Sequence, residues 1–240
     1  ITFFLMNLVP GGPFLSEKAI SPAATKALEA KYGLDKPMAE RYFTYISDAA
    51  HGDFGDSLKQ RGRTVMDIIA TKFPVSARLG GMAVVLALCV GVPLGVLAAY
   101  KRGTFIDSLF SVIATCGIAV PGFVICTLLL YVFGVKLQWL PTLGLKSAQS
   151  YIMPVVALAA YPTSYIMRLM RSSMLDVLGQ DYMRTAKAKG LSQKVSLFKH
   201  ALRNAILPVI TYVGPMLAYT LTGSFVTEKI FTIPGLGGDF

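Results

Sequence analysis

Hydrophobic positions in this chain come in long blocks rather than in short alternating patterns. Four runs, residues 79–100, 108–135, 147–167 and 204–227, contain no Asp, Glu, Lys or Arg. A helix needs about 20 residues to cross the hydrocarbon core of a bilayer, and each run meets that length. They predict transmembrane helices over about 79–100, 108–135, 151–169 and 206–227. Residues 1–9 are apolar but too short to cross alone, so they read as the end of a first transmembrane helix, closed by Pro10-Gly11-Gly12-Pro13. A signal peptide would carry a basic start and a small-residue cleavage site instead. Residues 10–74 are polar, with a helical patch at 22–31 where Ala24, Ala27 and Leu28 share a face. The expected architecture is an all-α polytopic transmembrane helical bundle, five spans in view, with a small extracytoplasmic region at 10–74 and a transmembrane domain at 75–240.

Between the third and fourth runs the pattern becomes amphipathic and basic. A helix through Tyr182, Thr185, Ala186 and Lys189 would end at Gly190, which suits the left-handed residue just past a helix, with Lys187 and Lys189 near the negative end of its dipole. Ser192 is then the N-cap of a second helix. On that helix Val195, Phe198 and Leu202 share one face, and Lys194, Lys199 and Arg203 point elsewhere. Residues 170–203 are therefore expected to fold as helix, glycine corner, helix. Two uses fit such a corner. Basic residues beside spans commonly mark topology or touch lipid headgroups, whereas an apolar-faced helix with charged flanks can dock into a groove on a partner.

Composition supports a bilayer setting, since 54% of the 240 residues are hydrophobic, 15% are charged and mean hydropathy is +0.57. The formal charge of +10 raises the question of nucleic acid, and its distribution answers it. Residues 10–74 hold nine Lys/Arg against eight Asp/Glu, while 168–203 hold eight against two. The excess is local, and neither a basic groove interleaved with aromatics nor zinc-finger spacing is present. The positive-inside rule puts Lys101-Arg102 and 168–203 in the cytoplasm, which leaves 10–74, 138–149 and 228–240 outside. Tyr131, Trp139 and Tyr151 then suit an outer aromatic belt. Cys89, Cys116 and Cys126 lie inside apolar runs with no metal-binding spacing, and His51 and His200 stand apart from other ligand residues.

Proline and glycine interrupt the runs. Gly117, Pro121 and Gly122, and again Gly214 and Pro215, fall mid-run, where a loosened backbone can line a passage or act as a hinge, or simply pack closely against a second subunit. Within the runs and their ends only Arg78 is ionisable, close enough to the outer end to snorkel. An ion-coupled carrier needs an intramembrane charge and a membrane enzyme needs a nucleophile–base or metal constellation. Neither pattern occurs, nor does a Walker loop, so the chain reads as non-catalytic, with its energy supplied by a partner.

Arg184-Thr185-Ala186, three residues, Gly190, and then Leu207-Pro208 resemble the cytoplasmic coupling loop of ABC importer permeases. The Glu-Ala-Ala common in that loop is replaced here by Arg184-Thr185-Ala186, and the Leu-Pro lies farther from the glycine. Both departures are similar to the oligopeptide and dipeptide branch. Three further blocks resemble the same branch: Tyr32 to Pro37, Gly52 to Ser57 and Phe73 to Ser76. So does Glu228-Lys229-Ile230-Phe231-Thr232-Ile233-Pro234-Gly235-Leu236-Gly237, which in that branch precedes a sixth span. The resemblance covers essentially the whole chain, with the first span partial and the sixth absent.

It implies a bacterial inner-membrane protein importing oligopeptides, with a dipeptide, nickel or glutathione importer as the alternative and an ion-coupled secondary transporter as the alternative of another class. The implied partners are a second homologous permease subunit, two ATP-binding subunits that hold ATP and Mg, and an extracytoplasmic peptide-binding protein. The chain itself would sit in membrane lipid, carry the peptide substrate, bind no cofactor or metal, and touch no nucleic acid. The family's ATPase-coupling role carries over to Asp181, Arg184, Thr185, Ala186, Lys187, Lys189, Gly190, Leu191, Phe198 and His200, and the passage or hinge to Gly117, Pro121, Gly122, Gly214 and Pro215.

Overall fold

A computed structural model describes residues 3–4, 33, 36–57, 60, 62–192 and 195–239, without the side chain of Lys187. Apart from Phe3 and Phe4, the expected end of a first helix at 1–9 lies outside the described residues, as do the patch at 22–31 and Lys194. The described residues contain no strand, only an isolated antiparallel bridge between Asp56 and Thr64, so the fold is all-α. The chain divides into two units, Ile1–Ala70 and Thr71–Phe240.

In the first unit Pro37 precedes helix α1, Met38–Ala50. Tyr42 and Tyr45, three residues apart on one face, meet the rings of Phe3 and Phe4 at centroid distances of 5.1 to 5.7 Å. The helix stops at the turn through Gly52, whose φ of +80° belongs to the left-handed region.

Helix α2, Val65–Tyr100, is 36 residues long, so its start precedes the apolar run by 14 residues. The Asp67 N–H donates to Thr64 Oγ1 at 3.1 Å, and the Thr64 N–H donates to Asp67 Oδ2 at 3.4 Å. This reciprocal cap satisfies backbone donors that the first turn leaves orphaned, which is why the helix begins here and not at the first lipid-facing residue. At 1.5 Å per residue it is about 54 Å long, more than the roughly 30 Å hydrocarbon core.

The second unit continues with α3, Phe105–Ala119, and α4, Gly122–Leu129, the latter extended by a π-helical turn, Leu130–Lys136. A short 3-10 turn, Ala148–Tyr151, leads into α5, Ile152–Leu178, followed by α6, Asp181–Ala188. A π-helical turn, Ser196–Ala201, feeds α7, Leu202–Ala205, then α8, Leu207–Leu221, and α9, Phe225–Ile230. Among the described residues, three segments are long and apolar enough to cross a membrane: Val65–Tyr100, Ala148–Leu178 and Leu207–Ile230. The stretch expected as one continuous helix at 108–135 is instead broken, with α3 and the α4 segment bent by 103°. Pro121 supplies no N–H and disfavours helical backbone at the residue before it, and Val120 is accordingly extended at φ −77°, ψ 123°.

Helix α5 is central to the packing of this unit. At one end Met170 and Met174 of α5 pack with Val96 of α2, Met183 of α6, and Ala201 and Ala205. At the other, Met153 packs with Leu79 and Ala83 of α2, Cys126 of α4 and Phe231. In lipid, where apolar surface gains little from leaving its solvent, helices associate through close backbone approach. Gly95 provides one such contact, because a Cβ there would lie 2.6 Å from the Met167 carbonyl oxygen.

An ion pair clamps α3 to α5. Asp107, buried in the first turn of α3, accepts from Arg171 Nε at 2.5 Å and Nη2 at 2.9 Å, and from the Gly103 N–H at 3.0 Å. Arg171 therefore serves an internal contact as well as adding to the basic excess of its segment. Arg171→Ala is expected to destabilise the protein by about 3 kcal/mol, the lower end for stranding a buried charge because Arg171 keeps part of its surface exposed, and Asp107→Leu with Arg171→Met should recover most of that loss. Thermal unfolding of the detergent-solubilised variants measures both.

Candidate functional site

The corner is built from its backbone bonds. In α6 the Thr185 hydroxyl donates to the Asp181 carbonyl at 3.2 Å, and the Lys189 N–H donates to the Thr185 carbonyl at 3.0 Å. Gly190 then has φ +73°, and the Leu191 N–H turns back to the Ala186 carbonyl at 3.3 Å, satisfying an acceptor the helix end would leave free. Ser192 Oγ accepts from the Val195 N–H at 3.4 Å, capping the helical turn that follows. Asn204 Nδ2 donates to Tyr182 Oη at 2.9 Å, so the two arms of the corner are tied by a side-chain bond.

Burial separates an inner from an outer face. Met183, 1% exposed, and Ala186 face inward, Met183 into the cluster that holds Met170, Met174 and Val96. Asp181, Arg184, Thr185, Lys189, Gly190 and Leu191 face outward, His200 is half-buried, and Phe198 is 60% exposed. The Asp181–Arg184 pair, 3.5 Å apart with both side chains largely in solvent, contributes little. Val195 and Phe198 are exposed, whereas Leu202 packs against the inner cluster. The single apolar face expected for these three residues is split because the π-helical turn at Ser196–Ala201 shifts the register between them. Beside the corner, Val92, Val96 and Leu97 of α2 and Leu197 and Phe198 border an apolar groove of about 750 Å³.

A second concavity, of about 600 Å³, opens where the α3–α4 break meets α5, α8 and α9. Pro121, Gly122 and Pro215 line it together with Tyr161, Tyr212 and Tyr219, and no charged residue is among its lining. Gly117 lies elsewhere, against Ser164 of α5, where it permits close helix contact. Gly214 is on an exposed face with open space beside its Cα. The span Leu207–Ile230 has only 17% of its apolar window buried, against 44% and 50% for the other two, so much of α8 is uncovered by this chain.

Besides Asp107, a second buried acid escaped the sequence reading. Glu228 is 1% exposed, accepting from the Ser76 hydroxyl at 2.7 Å and from the Gly238 N–H at 2.8 Å, while Ser76 Oγ accepts from the Leu236 N–H at 2.8 Å. Gly235 leaves room for the carboxylate, since a Cβ there would lie 2.5 Å from Glu228 Cδ. The acid thus fastens the Pro234-Gly235-Leu236-Gly237 block to the N-terminal half of α2 through Ser76. A single acid followed by closely spaced glycines was the available signal, and it was legible only as a loop.

Among known proteins, the profile of the family described as "Binding-protein-dependent transport system inner membrane component" matches residues 91–240. The chain is 44% identical over 239 residues to the oligopeptide transport system permease protein OppB of Salmonella typhimurium, covering 99% of this chain and 78% of that protein. It is 47% identical over 240 residues to the dipeptide transport system permease protein DppB of Bacillus subtilis, covering 100% and 78%. A crystal structure of an amino acid ABC transporter aligns with a TM-score of 0.52 at 17% identity, over 72% of this chain and 76% of that one, which is a likeness of fold. With the profile covering over half of the chain and identities above 40% over 99–100% of it, the chain belongs to the binding-protein-dependent transport system inner membrane components, the permeases of ABC importers.

Proposed function

We propose that this permease moves peptides inward across the cytoplasmic membrane of a bacterium, driven by ATP hydrolysed on separate partner subunits. Both relatives above carry peptide cargo in their names, one oligopeptide and one dipeptide. Ala50-His51-Gly52 and Val75-Ser76-Ala77-Arg78 look more like the oligopeptide members of the branch, a resemblance that supports oligopeptides as the cargo. The assembly would hold a second permease subunit, two ATP-binding subunits and an extracytoplasmic peptide-binding protein, with 10–74 outside and 170–203 inside.

The observation that carries the reading is the corner. Its outer face is exposed, and its inner face is packed through Met183 into the same cluster as Val96 of α2, Met174 of α5 and Met216 of α8. Close-packed interiors transmit displacement rather than absorb it, so a push on Gly190 and its neighbours reaches three helices at once. Alternating access follows if closure of the ATP-bound partners moves the corner and the corner rocks these helices against the second permease.

The contact itself is testable. In the assembled complex, Leu191→Cys should form a cross-link to an ATP-binding subunit that carries surface cysteines, with a yield that changes between nucleotide-free and ATP-bound states. A cysteine in place of Phe43 on α1 should form none. A Leu191 probe that reacts only with lipid would return the corner to the headgroup role that its basic residues also fit.

A further inference from the structure

We propose that Tyr161, Tyr165, Tyr212 and Tyr219 form the wall that contacts peptide in transit, gripping it through phenol hydroxyls and ring faces with no preference for charge. The proposal rests on the peptide-import reading above. Tyr161 and Tyr165 are four residues apart on α5, and Tyr212 and Tyr219 are seven apart on α8, so each pair shares a helix face. The two faces meet: Tyr165 and Tyr212 have ring centroids 4.4 Å apart, and Tyr161 stacks on Tyr165 at 6.3 Å. Tyr161, Tyr212 and Tyr219 line the 600 Å³ cavity, a volume within the usual range for a small-ligand site.

Depth makes these hydroxyls informative. Tyr165 precedes Ile166, whose side chain a Cβ on Gly91 would meet at 2.9 Å, and Gly91 lies midway along the apolar run 79–100, so Tyr165 and the Tyr212 ring against it sit at mid-span rather than in an interfacial belt. Beyond them, beside Thr220 at the level of Gly80, Tyr219 lines the same cavity as Tyr212. It is 78% exposed within this chain. None of the four hydroxyls has a hydrogen-bond partner among the described residues. Hydroxyls left unpaired against lipid tails are costly, so this face does not belong to lipid. It needs a partner that brings both donors and acceptors.

A peptide does so at every residue, whatever its side chains, and a phenol can donate to its carbonyls or accept from its N–H groups. The rings add contact area for side chains. Because no charged residue lines the cavity, acidic and basic peptides meet the same wall, and neither is trapped by an ion pair on its way through. Transit requires binding weak enough to be left again, and neutral hydrogen bonds suit that requirement.

The test uses the complete complex in proteoliposomes, with Tyr219 replaced by the photoreactive residue p-benzoylphenylalanine and Val112, exposed on α3 away from the cavity, as the control position. Radiolabelled Ala-Glu-Ala and Ala-Lys-Ala are offered on the binding protein, and adducts are counted per peptide imported. The expected result is ATP-dependent labelling of both peptides at 219, equal within about a factor of five, the worth of one neutral hydrogen bond, and no labelling at 112. As a milder variant that preserves the ring, Tyr219→Phe should lower peptide imported per ATP hydrolysed by about fivefold on the same reckoning. Labelling at 219 of lipid or the second permease alone, or of one peptide charge alone, overturns the wall while import itself stands, as does a Tyr219→Phe complex of undiminished yield. A wild-type complex that imports neither peptide overturns the import reading and the wall with it.

Discussion

Gly190→Val is expected to leave the permease inserted and assembled while abolishing ATP-driven peptide uptake. Gly190 has φ +73°, where a Cβ clashes with its own backbone, and a β-branched residue there costs about 1 to 2 kcal/mol. Nothing lies within 4 Å of the place its Cβ would take, so the substitution meets no neighbour, and the strain is relieved by moving the loop. The loop joins α6 to the π-helical turn at Ser196–Ala201, and moving it re-aims one arm against the other. The spans keep their own contacts, because Met170, Met174 and Val96 are untouched. Expression and detergent stability should stay near wild type, whereas stimulation of ATP hydrolysis by loaded binding protein should be lost with uptake. A Gly190→Val complex that transports at the wild-type rate would remove the corner from the mechanism.

The second large effect is on folding. Gly80 of α2 faces α8 so closely that a Cβ would lie 2.7 Å from the Thr220 carbonyl carbon and closer still to its oxygen. The obstacle is backbone, which cannot rotate away, so Gly80→Ala must push the helices apart. A loss of about 3 kcal/mol, the upper end for overpacking, is expected, with most of the protein failing to stay monodisperse in detergent. Gly81, the next residue, has open space where its Cβ would sit. Gly81→Ala should therefore be neutral or gain about 0.5 to 1 kcal/mol from helix propensity. Equal behaviour of the two variants in size-exclusion chromatography would mean that α2 and α8 do not pack at this point.

How much of this was legible in the sequence differs by feature. Apolar run length located α2, α5 and α8, because a bilayer imposes one length scale on every span. It said nothing of the break at Pro121, since proline is tolerated in many membrane helices and only the packing around it decides between a kink and a break. The early start of α2 was written in Thr64 and Asp67, a cap signal that hydropathy masks. Gly190 was legible because a glycine after a basic helical turn has few other uses, whereas the π-helical turn at Ser196–Ala201 leaves no mark in residue type.

The pairings over long sequence distances were the least legible. Asp107 with Arg171 and Ser76 with Glu228 join residues 64 and 152 positions apart, and nothing local in either partner announces the other. The passage candidates divided in the same way. Pro121, Gly122 and Pro215 come together on one cavity, but Gly117 serves a helix contact with Ser164, and only tertiary placement distinguishes these uses of a glycine. The tyrosines drew no notice in the sequence, because their unpaired hydroxyls become evident only when α5 and α8 are set side by side.

The central claim is that this chain is the membrane half of an ATP-driven peptide importer, and uptake by the purified complex tests it most directly. The complex is reconstituted in proteoliposomes with peptide-loaded binding protein on the side of residues 10–74 and ATP on the side of residues 170–203. Radiolabelled tripeptide should accumulate only while ATP is hydrolysed, and ionophores that collapse proton and sodium gradients should leave the rate unchanged. Uptake that proceeds without ATP and stops when those gradients are collapsed would contradict the account.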